Sequence, residues 1–300
     1  MNQAIQDAIL SPRGTLATRI KDQRPHNNLK TLPVFYRNLE EALDLRRSSS
    51  SYYSIVSNYW QTSDSIDLCS GDILGLGASE ARRAEFLAEF DRNPGFTTGS
   101  SGVRLMDGNY TYLEQAEKDI AAFHGAEAGI LVGGAYEANI AVWTAIPRPG
   151  DVIVYDELVH ASTHEGMKQS VALQKLEFPH SDVEAFRNTL LEVLRSHPSI
   201  KRGRSSILVA VESIYSMDGD VCPLQELVDV VAELSQGQGN IQFIVDEAHS
   251  VGVIGPKGAG LVCELGLEKD IAIVVHSYGK AMGAAGGTIN RESCITGTTD

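Results

Sequence analysis

The sequence is poor in cysteine, in basic residues and in long apolar runs, and each shortage removes a class of function. Its four cysteines, Cys69, Cys222, Cys263 and Cys294, are scattered and form no CxxC pair. A zinc or thiol-redox motif is thereby excluded, and they read as reduced packing residues. Lys and Arg number 25 against 39 Asp and Glu, a net charge of −14. That charge repels phosphate backbones and anionic lipid heads, so nucleic-acid and membrane-surface roles have no electrostatic support. The N-terminal segment carries Asp7, Arg13, Arg19, Lys21, Asp22 and Arg24, with no apolar run long enough for a signal peptide or a membrane span, and a cytoplasmic protein is expected. A G-x-x-x-x-G-K-[ST] loop is also missing: Val274 stands where its first glycine belongs ahead of Gly279-Lys280. Asp246-Glu247-Ala248-His249 is therefore not a helicase box.

What is present describes a globular chain. With 43% hydrophobic and 21% charged residues in 300, there is material for one large core and a small second domain. Residues 1–60 are polar and broken by Pro25, Pro33 and the serine run from Ser48 to Ser51, with one helical patch around Leu39 to Leu45, and read as an arm. From about Ile66, short apolar runs alternate with amphipathic stretches, the pattern of βαβ units and a mostly parallel sheet with helices on both faces. The expected strands are Gly129 to Val132, Asp151 to Tyr155, Ser206 to Val211, Ile241 to Val245 and Ile271 to Val275. Ser181-Asp182-Val183-Glu184 has the form of a capping box before the helical stripe Val183, Phe186, Leu190, Leu191 and Leu194. Pro223 opens a second helix, with Leu224, Leu227, Val228, Val231 and Leu234 on one face.

In such sheets, reactive groups gather beyond the carboxyl ends of the strands. The five runs are followed by Gly133-Gly134-Ala135-Tyr136, by Asp156-Glu157 with His160, by Glu212 with Ser216, by Asp246-Glu247-Ala248-His249, and by Ser277-Tyr278-Gly279-Lys280. Lys280, among small residues, suits an imine-forming amine whose pKa is lowered by burial, although a lone Gly-Lys pair also reads as an exposed turn. Asp246 shifts that balance, because pyridoxal phosphate needs a carboxylate to keep its ring nitrogen protonated. His249 is placed to bond the cofactor's phenolic oxygen and His160 to lie on its ring. Gly134-Ala135-Tyr136, ahead of a helix from Glu137 to Ala145, offers backbone N–H groups to a phosphate, with Ser216 and Ser277 adding hydroxyls. His160 and His164 lie one helical turn apart with Glu165 adjacent, but no third ligand at useful spacing supports the pair, so no metal is expected.

These motifs, in this order from about Ile66 to Gly287, resemble the α-oxoamine synthases of the class-II aminotransferase-like group. They include Asp67-Leu68-Cys69-Ser70, Gly99-Ser100-Ser101-Gly102-Val103-Arg104, Ala138-Asn139, Asp156-Glu157-Leu158-Val159-His160-Ala161-Ser162, Ser216-Met217-Asp218-Gly219-Asp220, Asp246-Glu247-Ala248-His249 and Ser277-Tyr278-Gly279-Lys280. The resemblance implies the fold-type-I architecture of pyridoxal-phosphate transferases, with residues 61–290 as the cofactor-binding large domain. It implies condensation of an amino acid with an acyl thioester, on coenzyme A or a carrier protein, releasing carbon dioxide and an α-amino ketone. Lys280, Asp246 and His160 would be catalytic. Ala135, Tyr136, His160, Ser216, Asp246, His249, Ser277 and Lys280 would hold the cofactor, and two copies would form a homodimer.

The chain departs from the family's pattern at Val159, which replaces a common asparagine before His160, and at three further positions. The first of these bears on the substrate, and the other two are mild changes at the phosphate site. Gly71 stands where biotin-pathway members carry an asparagine, Ala135 replaces a glycine, and Ser277 replaces a threonine. Beyond Gly286-Gly287 the family continues into another strand and a small C-terminal domain. Here Thr288 onward reads as polar and turn-like, with 291–300 a truncated tail and the small domain absent. Two further readings stay open: a class-II relative acting on another amino acid by transamination or a different carbanion reaction, and a non-catalytic partner of a longer homologue.

Overall fold

The computed structural model describes residues 33–39, 41, 70–97, 99–235 and 238–291. The chain divides into two compact units, Met1–Asp67 and Leu68–Asp300. In the first, residues 34–39 form a helical turn that starts earlier than the expected patch, because Pro33 supplies its first acceptor, taking a hydrogen bond from the Arg37 N–H at 3.1 Å. The rest of the expected arm, Asp67-Leu68-Cys69, Cys294 and the tail beyond Arg291 lie outside the described residues.

The second unit runs α1 (Glu80–Arg92), α2 (Thr111–Phe123), β1 (Ala128–Val132), α3 (Ala135–Ala145), β2 (Val152–Asp156), α4 (Ala161–Gln169), β3 (Gln174–Phe178), α5 (Val183–Ser196), α6 (Pro198–Lys201), β4 (Ile207–Glu212), α7 (Leu224–Ser235), β5 (Ile241–Asp246), α8 (Leu261–Leu265), β6 (Ile271–Ser277) and β7 (Gly287–Arg291). The strands form one sheet in the order β1-β7-β6-β5-β4-β2-β3. It is parallel from β3 to β6, and β7 runs antiparallel to both β6 and β1.

The apolar runs are continuous because both faces of the sheet are covered. Val152, Val154, Ile207, Val209, Val211 and Phe243 point to one face, against Phe186, Leu190 and Val193 of α5 and Leu224, Leu227 and Val231 of α7. The intervening Ile153, Leu208, Ala210 and Ile244 point to the other, against Ala138, Val142 and Trp143 of α3 and Met167 of α4. This period-2 division makes the α/β sandwich with helices on both faces that the pattern predicts. The chain order reverses between β2 and β4, and the carboxyl ends of the strands at that reversal make a crevice.

Several expectations change. Asp151 precedes β2 and accepts from the Arg148 and Ser206 N–H groups at 2.8 Å each, so it fastens two strand starts rather than joining a strand. Ser181 is no cap. It adopts a left-handed φ of 53°, and Asp182 caps α5 by accepting from the Ala185 N–H at 2.9 Å. Two strands were not expected. Edge strand β3 reads Gln-Lys-Leu-Glu-Phe, apolar only at Leu176 and Phe178, because one side meets solvent. Strand β7 corrects the turn-like reading of Thr288 onward: it is polar because Thr288 and Asn290 are buried against other polar side chains, Thr288 bonding the Tyr278 hydroxyl at 2.8 Å and Asn290 Nδ2 the His276 Nδ1 at 3.2 Å.

Candidate active site

Each expected site residue but one stands where a strand or helix end delivers it to the crevice. Lys280 sits on the tight turn from β6 to β7, closed by hydrogen bonds from Gly283 N–H to Lys280 O (2.9 Å) and from Ala284 N–H to Tyr278 O (2.7 Å). Gly283 is required there: at φ 54° a Cβ would come within 2.6 Å of the Gly77 nitrogen. Lys280 is half-buried, and its Nζ lies 2.8 Å from His249 Nε2. Burial lowers the ammonium's pKa, with the nearby Asp246 working in the opposite direction. Burial, and then the neighbouring Lys280, likewise lower the pKa of His249. Burial therefore works against a charge on either member of the pair.

Asp246 ends β5, buried. Its Oδ1 accepts from the Ala248 N–H at 2.8 Å and its Oδ2 from Asn139 Nδ2 at 2.7 Å. The same Asn139 amide reaches Ser162 Oγ at 3.0 Å, and Ser162 Oγ lies 2.7 Å from His160 Nδ1. His160 is also the N-cap of α4, its Nδ1 accepting from the Ser162 N–H at 3.2 Å. A ring nitrogen that accepts carries no proton, so the proton of the neutral ring is on Nε2, and the serine hydroxyl donates to Nδ1. One buried chain, Asp246–Asn139–Ser162–His160, thus fixes the orientation of two expected catalytic groups. Asn139 belongs to a motif quoted from the sequence, but nothing local marked it as a bridge.

Glu212 is the second residue that strand-end reading noticed without assigning. It pairs in register with Asp246 on the neighbouring parallel strand, so both side chains project from the same face. Its carboxyl takes the backbone N–H of His160, and its buried Oε1 has no partner. Burial, and then the adjacent Asp246, push its pKa up to about 8. Glu212 is therefore a protonated carboxyl at neutral pH.

The N-terminus of α3 forms another wall. Gly134 is its N-cap in extended conformation, so the N–H groups of Ala135 and Tyr136 lie in the unpaired first turn. Tyr136 meets the His160 ring edge to face, with centroids 6.0 Å apart. Ser277 pairs with Gly287, whose added Cβ would lie 3.0 Å from the Ala135 nitrogen, so the end of β6 abuts this helix start. Ser216 is the exception: it is exposed on the turn after β4, and no contact joins it to the others.

Behind the crevice lies a buried polar cluster. His124 and His276 stack at 3.6 Å, His276 Nε2 lies 3.1 Å from Glu247 Oε2, and the Tyr278 hydroxyl lies 3.3 Å from His124 Nε2. Burial, followed by His276, lowers the His124 pKa to about 3, so that ring is neutral. The cluster anchors β5, β6 and β7 next to Asp246 and Lys280.

An amine, a buried carboxylate, two imidazoles and a helix N-terminus face one crevice. This donor set matches, group for group, the aldehyde, ring nitrogen, ring face with phenolic oxygen, and phosphate of pyridoxal phosphate. Gly71 packs beside Lys280, since a Cβ added to it would meet the lysine's Cγ at 3.8 Å.

Comparisons with known proteins identify the family. The family model described as aminotransferase class I and II matches residues 63–294. Aminoacyl transferase sphA of Aspergillus fumigatus is 51% identical over 261 residues, 87% of this chain and 55% of that protein. The 8-amino-7-oxononanoate synthase of Emericella nidulans is 46% identical over 239 residues, 79% of this chain and 57% of that protein. Among solved structures, the serine palmitoyltransferase of Sphingomonas wittichii matches with a TM-score of 0.63 at 29% identity, over 75% of this chain and 52% of that one. The chain spans a little over half the length of these relatives.

Proposed function

Because the chain belongs to the class I and II aminotransferase family, and within it to the α-oxoamine synthases, we propose that it carries the pyridoxal-phosphate half of an enzyme joining an amino acid to an acyl thioester. The balanced reaction is amino acid plus acyl thioester giving α-amino ketone, carbon dioxide and free thiol. The observation that carries this reading is the buried chain from Asp246 through Asn139 and Ser162 to His160, opposite the Lys280–His249 pair.

When bound, pyridoxal phosphate supplies an electron sink for the carbanion at the amino acid's Cα. The protein's own groups do the rest. Lys280, whose pKa burial lowers, would hold the cofactor at its aldehyde and would serve as the base for the Cα proton. Asp246 would face the ring nitrogen, with Asn139 holding its Oδ2. His160 would lie on the ring and His249 would meet the phenolic oxygen. The Ala135 and Tyr136 N–H groups with Ser277 would receive the phosphate, and Ser216, exposed on its turn, is assigned to it by the family resemblance alone. Pairing of two copies belongs to the same reading and is read directly by sedimentation.

The test is carbon dioxide release from a labelled amino acid by the purified protein. Release that depends on an added acyl thioester is expected. Release without any thioester favours transamination-type or other carbanion chemistry, and a protein that takes up no cofactor has no such activity.

A further inference from the structure

His180 takes no part in the reaction above, yet it bridges two of the loops that line the crevice. It follows β3, and its ring lies between two carboxylates: Nδ1 is 2.9 Å from Asp156 Oδ1 and Nε2 is 2.8 Å from Asp220 Oδ2. Asp156 ends β2 and is buried, also accepting from the N–H groups of Leu158 (2.9 Å) and Ser181 (2.8 Å). It therefore controls the start of the segment that ends in His160. Asp220 closes the turn carrying Ser216, where the Tyr215 N–H donates to Asp220 O at 3.0 Å and the Gly219 N–H to Tyr215 O at 2.8 Å. Asp220 Oδ1 has no partner, which leaves the imidazole as the side-chain anchor of that turn.

An imidazole donates to two acceptors only when both its nitrogens carry protons. We propose that His180 is a positioning residue: as an imidazolium it ties the Asp156–His160 loop to the Ser216–Asp220 turn, and loss of one proton releases the Asp220 end. The proposal rests on the functional reading only for what the two loops carry. Which end releases follows from burial. The Asp156 carboxylate is 1% exposed and held by two further N–H groups, whereas Asp220 is 39% exposed, so water replaces the ring there.

The surroundings favour the charged form. Burial opposes it, but the hydrogen bonds to Asp156 and Asp220 outweigh burial and hold the His180 pKa above the ordinary histidine value. Glu157 adds a third carboxylate, accepting from the His180 backbone N–H at 2.9 Å. The Tyr215 ring lies edge-on at 4.4 Å, and beyond it the Cys222 thiol is kept protonated by burial. At the start of α5, Asp182 is committed to the Ala185 N–H.

Hydrogen–deuterium exchange of the purified, cofactor-free protein, corrected for intrinsic rates, tests the tie. In His180→Ala, exchange is expected to rise about tenfold or more in both segments, 157–160 and 216–220. In the wild type, raising the pH through the His180 titration is expected to loosen 216–220 while 157–160 stays protected. Asp220→Asn, which keeps the shape of the turn, is expected to leave 216–220 loose at every pH. A wild-type turn with no pH step, or a His180→Ala protein in which either segment stays as protected as before, overturns the proposal. A parallel titration with pyridoxal phosphate separates the two ideas. Loosening without cofactor uptake by the wild type keeps the tie and sinks the functional reading, and uptake without loosening does the reverse.

Discussion

At the scale of single residues, the site depends on which carboxyl keeps its proton. Glu212, with a folded-state pKa of about 8 against 4.5 for a free glutamate, holds its proton in the folded chain over a range where the unfolded chain has lost it. Proton binding is then greater in the native state, so stability must fall as pH rises from about 4.5 to about 8. Glu212→Gln removes that dependence. In cofactor-free protein its unfolding free energy is expected to exceed the wild type's by a growing margin, on the order of a few kcal/mol by pH 8, measured by urea unfolding across that range. A margin that shrinks with pH contradicts the assignment. Asn139 offers the complementary case. Asn139→Ala leaves Asp246 Oδ2 and Ser162 Oγ without their amide donor, which costs about 1–3 kcal/mol of stability for the buried groups left unpaired. Cofactor affinity, followed by absorbance titration, is expected to fall at least about tenfold with it, one decade per 1.4 kcal/mol.

At the scale of elements, the packing of α3 on α4 holds this bridge in place. Gly166 of α4 lies so near α3 that an added Cβ would fall 2.8 Å from Trp143 Cβ and 3.0 Å from Asn139 O. Gly166→Ala is therefore expected to destabilise by about 1–3 kcal/mol and lower the melting temperature, because a fixed backbone and a buried tryptophan must give way. The elements also show what the sequence could and could not reveal. The apolar strand runs stand out because helices cover both faces, and the residues that follow them, Asp246, His249, His160 and Lys280, were legible as a set at their ends. Strand β7 was not, because Thr288 and Asn290 face a buried polar cluster, and a buried hydrogen-bonded strand has the composition of a turn. The roles of Asn139, Glu212 and His180 were hidden for a related reason. Each depends on a partner far along the chain, such as Asp246 for Asn139 at a separation of 107 residues, and no local pattern encodes that meeting.

At the scale of the whole molecule, a seven-stranded sheet brings the ends of β2, β4, β5 and β6 to one crevice, where Asp246, Glu212, His160, His249 and Lys280 meet. The matched stretch covers 55% and 57% of the two curated relatives, so substrate choice is best tested on the cofactor half first, where the residues are in hand. The most direct measurement is covalent mapping of the cofactor lysine. Purified protein is incubated with pyridoxal phosphate, reduced with borohydride, digested and sequenced by mass spectrometry. The predicted result is a pyridoxyl group on Lys280, with the visible absorbance and the label both lost in Lys280→Ala. A label on a different lysine, or a Lys280→Ala protein that keeps the absorbance, would contradict the assignment of Lys280 and with it the reading of the crevice as a cofactor site.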